Sequence, residues 1–298
     1  MSAPALQTTA LGKRYGSVWA LRECSLEIPA GSVTALVGPN GAGKTTLLHI
    51  AVGLSAPSEG GVHVFGVSPR DQPRQVLPRI GFVAQDHPLY RGFRLRELLK
   101  LGGELNPRWD EALARERLSR LGLPLGQKAG TLSGGQQAQV ALTLALAKRP
   151  ELLVLDEPVA SLDPLARREF LQSLMEAVAD GGLTVLLSSH ILADLERVCD
   201  RLIILARAEV RLAGPIDEIV ARHRVLTGAR SDAASVARIH AVVHESHTER
   251  QTTLLVRANG HLYDARWQVE EVGLEEIVLA YLSRPVAVAE ARYEEVAS

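Results

Sequence analysis

The stretch Gly38-Pro-Asn-Gly-Ala-Gly-Lys-Thr-Thr46 decides the fold class of this chain. It matches the phosphate-loop pattern GxxxxGK[ST], in which backbone amides of a glycine-rich loop surround phosphate groups. The run before it, Ser32 to Val37, predicts a short buried strand, and Thr46 to Val52 predicts the first turns of a helix. This order is the context that the pattern requires. We therefore predict a nucleotide site in an α/β fold, with Lys44 at the outer phosphates and the Thr45 hydroxyl at Mg²⁺.

A second motif, Leu132-Ser-Gly-Gly-Gln136, lies well downstream. Ser133 is suited to cap a helix that begins at Gly134, because its hydroxyl can accept a hydrogen bond from the first free amides. The adjacent glycines leave this helix end open to an anion. The motif is followed by the apolar run Val140 to Ala147, which predicts a buried helix rather than a simple loop.

Two acids close the next apolar strand. Leu152 to Leu155 leads into Asp156 and Glu157, so a buried strand delivers two carboxylates to one edge of the sheet. Asp156 is a hard oxygen ligand suited to Mg²⁺, directly or through water. Glu157 is placed to orient and deprotonate water, a role that contributes about 10²–10⁴-fold to rates.

These motifs together resemble the ATP-binding-cassette (ABC) ATPases over roughly residues 6–215. The resemblance implies that ATP is bound by Tyr15, which stacks on adenine, and by Gly38, Pro39, Asn40, Gly41, Ala42, Gly43, Lys44, Thr45 and Thr46. It implies a signature sequence that binds the ATP of a partner subunit, made of Leu132, Ser133, Gly134, Gly135 and Gln136. The catalytic residues implied are Glu157, the switch histidine His190 and the Q-loop glutamine Gln85. Asp163 is the implied D-loop aspartate, and the implied Mg²⁺ ligands are Thr45, Gln85 and Asp156.

The fold that follows is an α/β P-loop NTPase core of the RecA-like type, with an antiparallel β-subdomain and a helical insertion. We predict a nucleotide-binding domain over residues 1–215, with the insertion at about 86–150, and a small α+β extension over 216–298. The predicted helices are Leu95–Leu101, Asp110–Leu121, Gly134–Lys148, Pro164–Ala179, Ile191–Val198, Pro215–Arg222, Ala234–Ile239 and Leu274–Leu282. The predicted C-terminal strands are Val210–Ala213, Val225–Ala229, Ala241–His244 and Thr252–Arg257.

Charge balance, the length of the apolar runs and the cysteine positions limit the possible partners and cellular location of the chain. The 33 basic and 34 acidic residues nearly cancel, which argues against nucleic acid as a partner. Apolar runs are far shorter than the about 20 residues that a membrane span needs, so a membrane role would require another subunit. Met1 to Thr9 lacks a basic segment followed by an apolar one, which predicts no signal peptide. Cys24 and Cys199 are far apart in sequence and are expected to be buried thiols in a reducing compartment.

The pair His244 and His247 invites a metal-site interpretation. A cysteine or third ligand is missing nearby, so exposed polar turn residues are the favoured interpretation.

The function implied by the resemblance is an ATP-hydrolysing subunit of an ABC transporter, peripheral on the cytoplasmic face of the membrane. Its implied partners are integral membrane permease subunits in other chains and a second nucleotide-binding subunit, most simply an identical one. The segment Leu274 to Leu279 resembles the C-terminal part of drug- and polysaccharide-exporter ATPases, which favours an exporter. An importer ATPase remains the main alternative.

Other classes fit less well. Translation-type relatives carry two cassettes, whereas this chain has one phosphate loop, and repair-type relatives carry long coiled coils, whereas sustained heptads are missing here. A P-loop kinase gives no reason for the Leu132–Gln136 motif.

We expect the permease to contact the segment Asp86 to Leu105, directly after Gln85. An apolar set rimmed by charge suits a protein contact. The apolar members are Leu89, Tyr90, Phe93 and Leu95, and the charged members are Arg91, Arg94 and Arg96.

Overall fold

The computed structural model describes residues 3–260 and 266–283. In chain order the strands are β1 (Leu6–Tyr15), β2 (Val18–Ile28), β3 (Val33–Val37), β4 (Glu59–Val64), β5 (Ile80–Val83), β6 (Leu152–Leu155), β7 (Thr184–Ser188), β8 (Arg201–Ala206), β9 (Glu209–Pro215), β10 (His223–Ala229), β11 (Ala241–His247), β12 (Gln251–Arg257) and β13 (Gln268–Glu270). The helices are α1 (Lys44–Ala51), α2 (Pro73–Val76), α3 (Leu95–Leu105), α4 (Glu111–Arg120), α5 (Gly134–Ala147), α6 (Pro164–Ala179), α7 (Leu192–Val198), α8 (Ile216–Arg222), α9 (Ala233–Ala237) and α10 (Leu274–Ser283).

A six-stranded sheet with the order β5-β6-β7-β3-β8-β9 forms the centre of the molecule. Its strands are parallel except β9, which pairs antiparallel with β8. Every residue of β3, β6 and β7 is buried, as expected for parallel strands covered by helices on both faces. Because the strands run the same way, the loops after β3, β5, β6 and β7 meet at one edge, and this edge carries the predicted site residues.

A three-stranded antiparallel sheet with the order β2-β1-β4 packs beside the phosphate loop. The turn between β1 and β2 pairs Tyr15 with Val18 and leaves the Tyr15 ring at the surface. The inward side chains Leu6, Leu21 and Ile28 pack with Leu47 of α1 in one apolar cluster. This contact fixes α1, and therefore the phosphate loop, against the antiparallel sheet.

The predicted helical insertion is present as α3, α4 and α5, which pack around their own apolar cluster. Its fully buried members include Leu95, Leu99 and Leu118. The prediction that Leu95 belongs to an exposed docking set is therefore wrong, because Leu95 begins α3 and points into this cluster. The helix predicted over Ile191–Val198 is observed as α7, which begins one residue later, at Leu192, and makes about two turns.

The C-terminal extension forms a second antiparallel sheet with the order β11-β12-β10-β13, covered by α9 and α10. The three exposed residues of β13 were not predicted from the sequence. Ile277 and Val278 of α10 belong to the same apolar cluster as Leu195 and Leu202, so the extension shares a core with the central sheet. Residues 284–298 of the predicted extension lie outside the described residues, and the proposed boundary between 215 and 216 stays a prediction.

His244 and His247 are exposed as expected, but both lie on β11 rather than in a turn: the strand predicted over Ala241–His244 extends to His247. Within the described part of the chain, no group of three or more His, Cys, Asp or Glu side chains is arranged to hold a metal ion.

The three tryptophans of the chain fall in three different regions. Trp19 lies on β2, with the Arg14 guanidinium 5.5 Å from its ring centroid. Trp109 lies just before α4 and packs against Gly102 of α3. Trp267 is buried against Gly228 in the extension. None of the helices in residues 3–260 and 266–283 has the length and apolar character needed to span a bilayer.

Candidate nucleotide site

The phosphate loop joins β3 to α1 through a backbone that requires glycine. Gly43 immediately precedes α1 with φ of 106°, in the region that side chains disfavour. A Cβ on Gly43 would also lie 2.2 Å from the Ala20 carbonyl oxygen of the antiparallel sheet. Glycine therefore allows the loop to pass close to β2, and the helix begins without a side-chain cap on its first amides. Free amides at a helix N-terminus favour an anion.

Lys44 is turned inward, toward its own loop and the end of β6. Its Nζ donates to the carbonyl oxygen of Gly38 at 2.8 Å and lies 3.3 Å from Glu157 Oε1. The side chains of Lys44 and Glu157 are 6% and 9% exposed, so the ion pair is buried. The predicted phosphate-binding lysine and the predicted general base therefore contact each other directly.

Glu157 is held between two predicted site residues. Its second oxygen, Oε2, is 2.8 Å from His190 Nδ1, while Oε1 faces Lys44. His190 follows β7, and Glu157 follows β6, which is paired with β7 in parallel register. The His190 ring is about half exposed, so one side of the glutamate opens toward solvent.

Sequence reasoning missed Ser188, the last residue of β7. Its hydroxyl accepts a hydrogen bond from the Glu157 amide at 2.8 Å and donates one to Asp156 Oδ1 at 2.8 Å. Ser188 is fully buried, as are both partners to within a few per cent. A serine at the end of an apolar strand gives no local signal for this contact, because only the pairing of β6 with β7 brings it opposite Asp156.

A second missed residue is His87, in the loop after β5. Its Nε2 donates to the carbonyl oxygen of Pro158 at 3.0 Å, directly after Glu157. Burial lowers the pKa of His87, while the hydrogen bond to Pro158 and the charge of Asp86 act in the opposite direction. The main chain adds a parallel link, since the Asp156 amide donates to the Val83 carbonyl at 2.9 Å.

Two predicted residues stay apart from this cluster in the structure. Gln85 is exposed after β5, and none of the hydrogen bonds among the described residues links it to Glu157 or Asp156. Tyr15 is 56% exposed, and Lys13 Nζ lies 5.0 Å from its ring centroid. An exposed aromatic face of this kind is suited to stacking on a base.

The signature motif lies at the N-terminus of α5. The Ser133 hydroxyl accepts from the Gln136 amide, and the Gln136 side chain returns a hydrogen bond to the Ser133 amide, which makes a capping box. Ser133 and Gly134 are exposed. Gly135 is close to α6, where an added Cβ would lie 2.8 Å from the Cβ of Ala166. Asp163, the predicted D-loop residue, caps α6 through its carboxylate.

The residues predicted to bind Mg²⁺ have the chemistry that this ion prefers. Thr45 supplies an exposed hydroxyl at the start of α1, and Asp156 supplies a carboxylate whose Oδ1 is already fixed by Ser188. Oxygen ligands from one or two side chains, completed by phosphate and water, suit Mg²⁺. The donor set therefore fits the ion.

A groove of about 380 Å³ runs between the central sheet and the helical insertion. His87, Tyr90, Trp109, Ala141 and Lys148 are among its lining residues. Tyr90, one of these lining residues, packs against the ring of Phe93 with centroids 5.1 Å apart. Tyr90 is 65% exposed and Phe93 39% exposed, which is unusual for large apolar side chains.

Comparisons with known proteins agree with this geometry. The family described as ABC transporter matches residues 21–160. The chain is 36% identical to the Nod factor export ATP-binding protein I of Rhizobium johnstonii, over 69% of this chain and 67% of that protein. It is also 36% identical to the phosphonates import ATP-binding protein PhnC of Caulobacter vibrioides, over 73% of this chain and 90% of that protein.

Among solved structures, the chain resembles the dimeric cassette MJ0796, a bacterial ABC transporter cassette, with a TM-score of 0.64 and 28% identity. The match covers 70% of this chain and 98% of the cassette. That cassette is also known in a post-hydrolysis state bound to ADP and phosphate. The export and import relatives, each 36% identical and covered over two thirds or more of their length, show that the chain belongs to the ATP-binding subunits of ABC transporters, a family of ATPases.

Proposed function

We propose that Gly38 to Thr46 binds the ATP phosphates, that Tyr15 stacks on adenine, and that Glu157 is the general base. The observation that carries this proposal is that the buried carboxylate of Glu157 contacts both the buried Lys44 and the half-exposed His190. The phosphate loop offers free amides and one buried ammonium to an anion. Thr45 and Asp156, with Gln85 after closure, would hold Mg²⁺, which neutralises charge on the phosphates when bound.

The two contacts of Glu157 suggest how binding prepares hydrolysis. A nucleotide that draws Lys44 toward its phosphates weakens the ion pair of Lys44 with Glu157. The carboxylate then keeps His190 as its partner and is available to accept a proton from water. Since His190 Nδ1 stands at hydrogen-bond distance from Oε2, it orients the carboxylate during this step.

We further propose that two copies pair head to tail, so that Leu132 to Gln136 of one covers the ATP of the other. Ser133 and Gly134 are exposed at an open helix N-terminus, and none of the hydrogen bonds of the described residues joins them to the phosphate loop of the same chain. The dimeric relative supports such pairing. An identical partner makes the pairing two-fold symmetric.

Mixing two inactive variants tests this arrangement. In mixed dimers of Lys44→Ala and Ser133→Arg, one site combines the intact Lys44 of one chain with the intact Ser133 of the other. We expect recovery of up to about a quarter of wild-type activity at equal amounts, since half of the dimers are mixed and each has one complete site.

A matched control uses two defects on the same half of the site. Mixing Lys44→Ala with Glu157→Gln leaves every site incomplete, so this pair should stay inactive. Recovery in neither mixture, with subunit exchange confirmed by differently tagged chains, would exclude head-to-tail sharing. Recovery in both mixtures would mean that Lys44 and Glu157 of one chain act in different nucleotide sites.

We propose that the groove beside Tyr90 binds a permease subunit in the membrane, which places the chain on the cytoplasmic face. Its support is the exposed Tyr90 ring and the continuity of the groove with the loop that carries Gln85 and His87.

For the direction of transport, we favour export, because of the similarity to the export relative and the segment Leu274 to Leu279. The import relative favours the alternative direction. Purification of tagged chain from membranes, followed by identification of the bound subunit and transport into inverted vesicles, separates the two directions.

A further inference from the structure

Glu157 has an unusual backbone. Its φ is 47°, in the left-handed region that residues with a side chain adopt at a cost. It also precedes Pro158, and a residue before proline prefers an extended conformation. Such a conformation persists at a buried position only where neighbouring groups hold it.

Ser188 holds the peptide before Glu157. A backbone amide can only donate, so the Ser188 hydroxyl accepts from the Glu157 amide and directs its single hydrogen to Asp156 Oδ1. One hydroxyl therefore fixes the amide of the proposed general base and the carboxylate of a proposed Mg²⁺ ligand. Because Ser188 is fully buried, water cannot take over these bonds without opening the strand end.

His87 holds the peptide between Pro158 and Val159, one residue beyond Glu157. The carbonyl oxygen of Pro158 can only accept, so the proton of this hydrogen bond belongs to His87 Nε2. His87 also lines the groove that contains Tyr90, together with Pro88 and Leu89 of the same loop. The backbone around Glu157 is thus held at two points, directly before it by the end of β7 and after Pro158 by the loop that follows β5.

We propose that Ser188 and His87 are positioning residues that hold Glu157 in its left-handed conformation and direct its carboxylate toward Lys44 and His190. This inference rests on the proposed role of Glu157 as the general base. Ser188 is the more important of the two, because it also orients Asp156. His87 connects the same glutamate to the wall of the groove.

The test compares turnover and ATP binding in the full chain. We expect Ser188→Ala to lower kcat by about 10–100-fold and His87→Leu by about 5–20-fold, the range for a slightly misplaced catalytic group. ATP affinity without Mg²⁺ should stay within about twofold of wild type, since neither side chain contacts the phosphate loop. The conservative variants Ser188→Thr and His87→Gln, which keep a hydroxyl and a donor, should recover much of kcat.

A double variant separates positioning from a general loss of structure. In a Glu157→Ala background, His87→Leu should not lower the residual rate further, because its effect passes through the missing carboxylate. A further loss of fivefold or more would overturn the role assigned to His87. A Ser188→Ala kcat within twofold of wild type, or a Ser188→Thr variant that folds yet is as slow as Ser188→Ala, would overturn the role assigned to Ser188. If Glu157→Gln itself turns over normally, the proposed function fails instead.

Discussion

At the scale of single residues, the ion pair between Lys44 and Glu157 gives these two side chains both structural and chemical roles. Each lies within the core with less than a tenth of its surface exposed. Removing one member of a buried pair leaves the other charge unpaired, which costs about 3–5 kcal/mol. Variants at these positions therefore need a stability measurement beside every activity measurement.

Lys44→Ala and Glu157→Gln should both abolish turnover, in opposite ways. Lys44→Ala should weaken ATP binding by about 10–100-fold, since a charge-assisted hydrogen bond contributes about 1.5–3 kcal/mol. Glu157→Gln should bind ATP normally, lose about 10²–10⁴-fold in kcat, and accumulate a closed dimer on gel filtration with ATP. The double variant should be more stable to urea than Lys44→Ala alone, because it removes the unpaired charge. A Glu157→Gln protein that hydrolyses ATP near the wild-type rate would show that another residue is the base.

At the scale of secondary-structure elements, the contact between α5 and α6 depends on Gly135. Alanine at Gly134 meets open space and should raise the free energy of unfolding by up to about 1 kcal/mol, because alanine favours a helix more than glycine does. Alanine at Gly135 would press on Ala166 and should lower it by about 1–3 kcal/mol. Urea unfolding of the two variants is a matched comparison. Equal stability of both would mean that α5 and α6 separate freely.

If the groove is the docking surface, charge reversal at nearby arginines should weaken binding of the membrane subunit. Arg94 is unsuitable for a charge reversal, because its guanidinium donates to the Gly126 carbonyl and supports the start of α3. Arg91 and Arg96 are exposed, so Arg91→Glu with Arg96→Glu should reduce co-purification of the membrane subunit by about 3–10-fold, with ATP binding unchanged. Arg70→Glu, an exposed reversal away from the groove, is the control. Equal recovery of the subunit with all variants would place the docking surface elsewhere.

The motifs predicted the local backbone geometry where the partners are close in sequence. The glycine pattern fixed the loop before α1, and Ser133 was recognised as a helix cap because its partners lie within four residues. Ser188 and His87 escaped prediction because each meets Glu157 or Pro158 only through the pairing of β5, β6 and β7. Leu95 was misplaced for a related reason, since the sequence shows an apolar residue among arginines but not which side of α3 packs inward.

At the scale of the whole molecule, α10 ties the C-terminal extension to the central sheet through a shared core. His223 lies in this region, where Nδ1 donates to the Ile219 carbonyl at 2.6 Å and Nε2 is 3.0 Å from the Tyr281 hydroxyl. Burial lowers the pKa of His223, and the charges of Arg257 and Arg224 lower it further, against the effect of the Ile219 carbonyl.

The lowered pKa of His223 makes the stability of the chain depend on pH. The unfolded chain binds more protons than the folded one once the pH falls below about 6.5, the ordinary pKa of histidine. The free energy of unfolding should therefore be fully retained above that pH and fall as the pH is lowered toward the folded pKa. His223→Asn, which can still donate to Ile219, should show a smaller drop between pH 7.5 and 5.5 in urea titrations. An unchanged drop would mean that other groups, such as His240, account for it.

The distribution of the tryptophans has an optical consequence. The emission of an indole ring depends on the polarity around it, and each region of this chain carries a single tryptophan. Trp19 lies on β2 of the antiparallel sheet that packs beside the phosphate loop, Trp109 lines the groove, and Trp267 is buried in the extension. Replacing two of them by phenylalanine leaves one tryptophan, whose emission, excited at wavelengths that tyrosine does not absorb, reports on one region. Nucleotide binding, partner docking and opening of the extension can thereby be followed separately, each by the emission spectrum of a different single-tryptophan variant and without an attached dye.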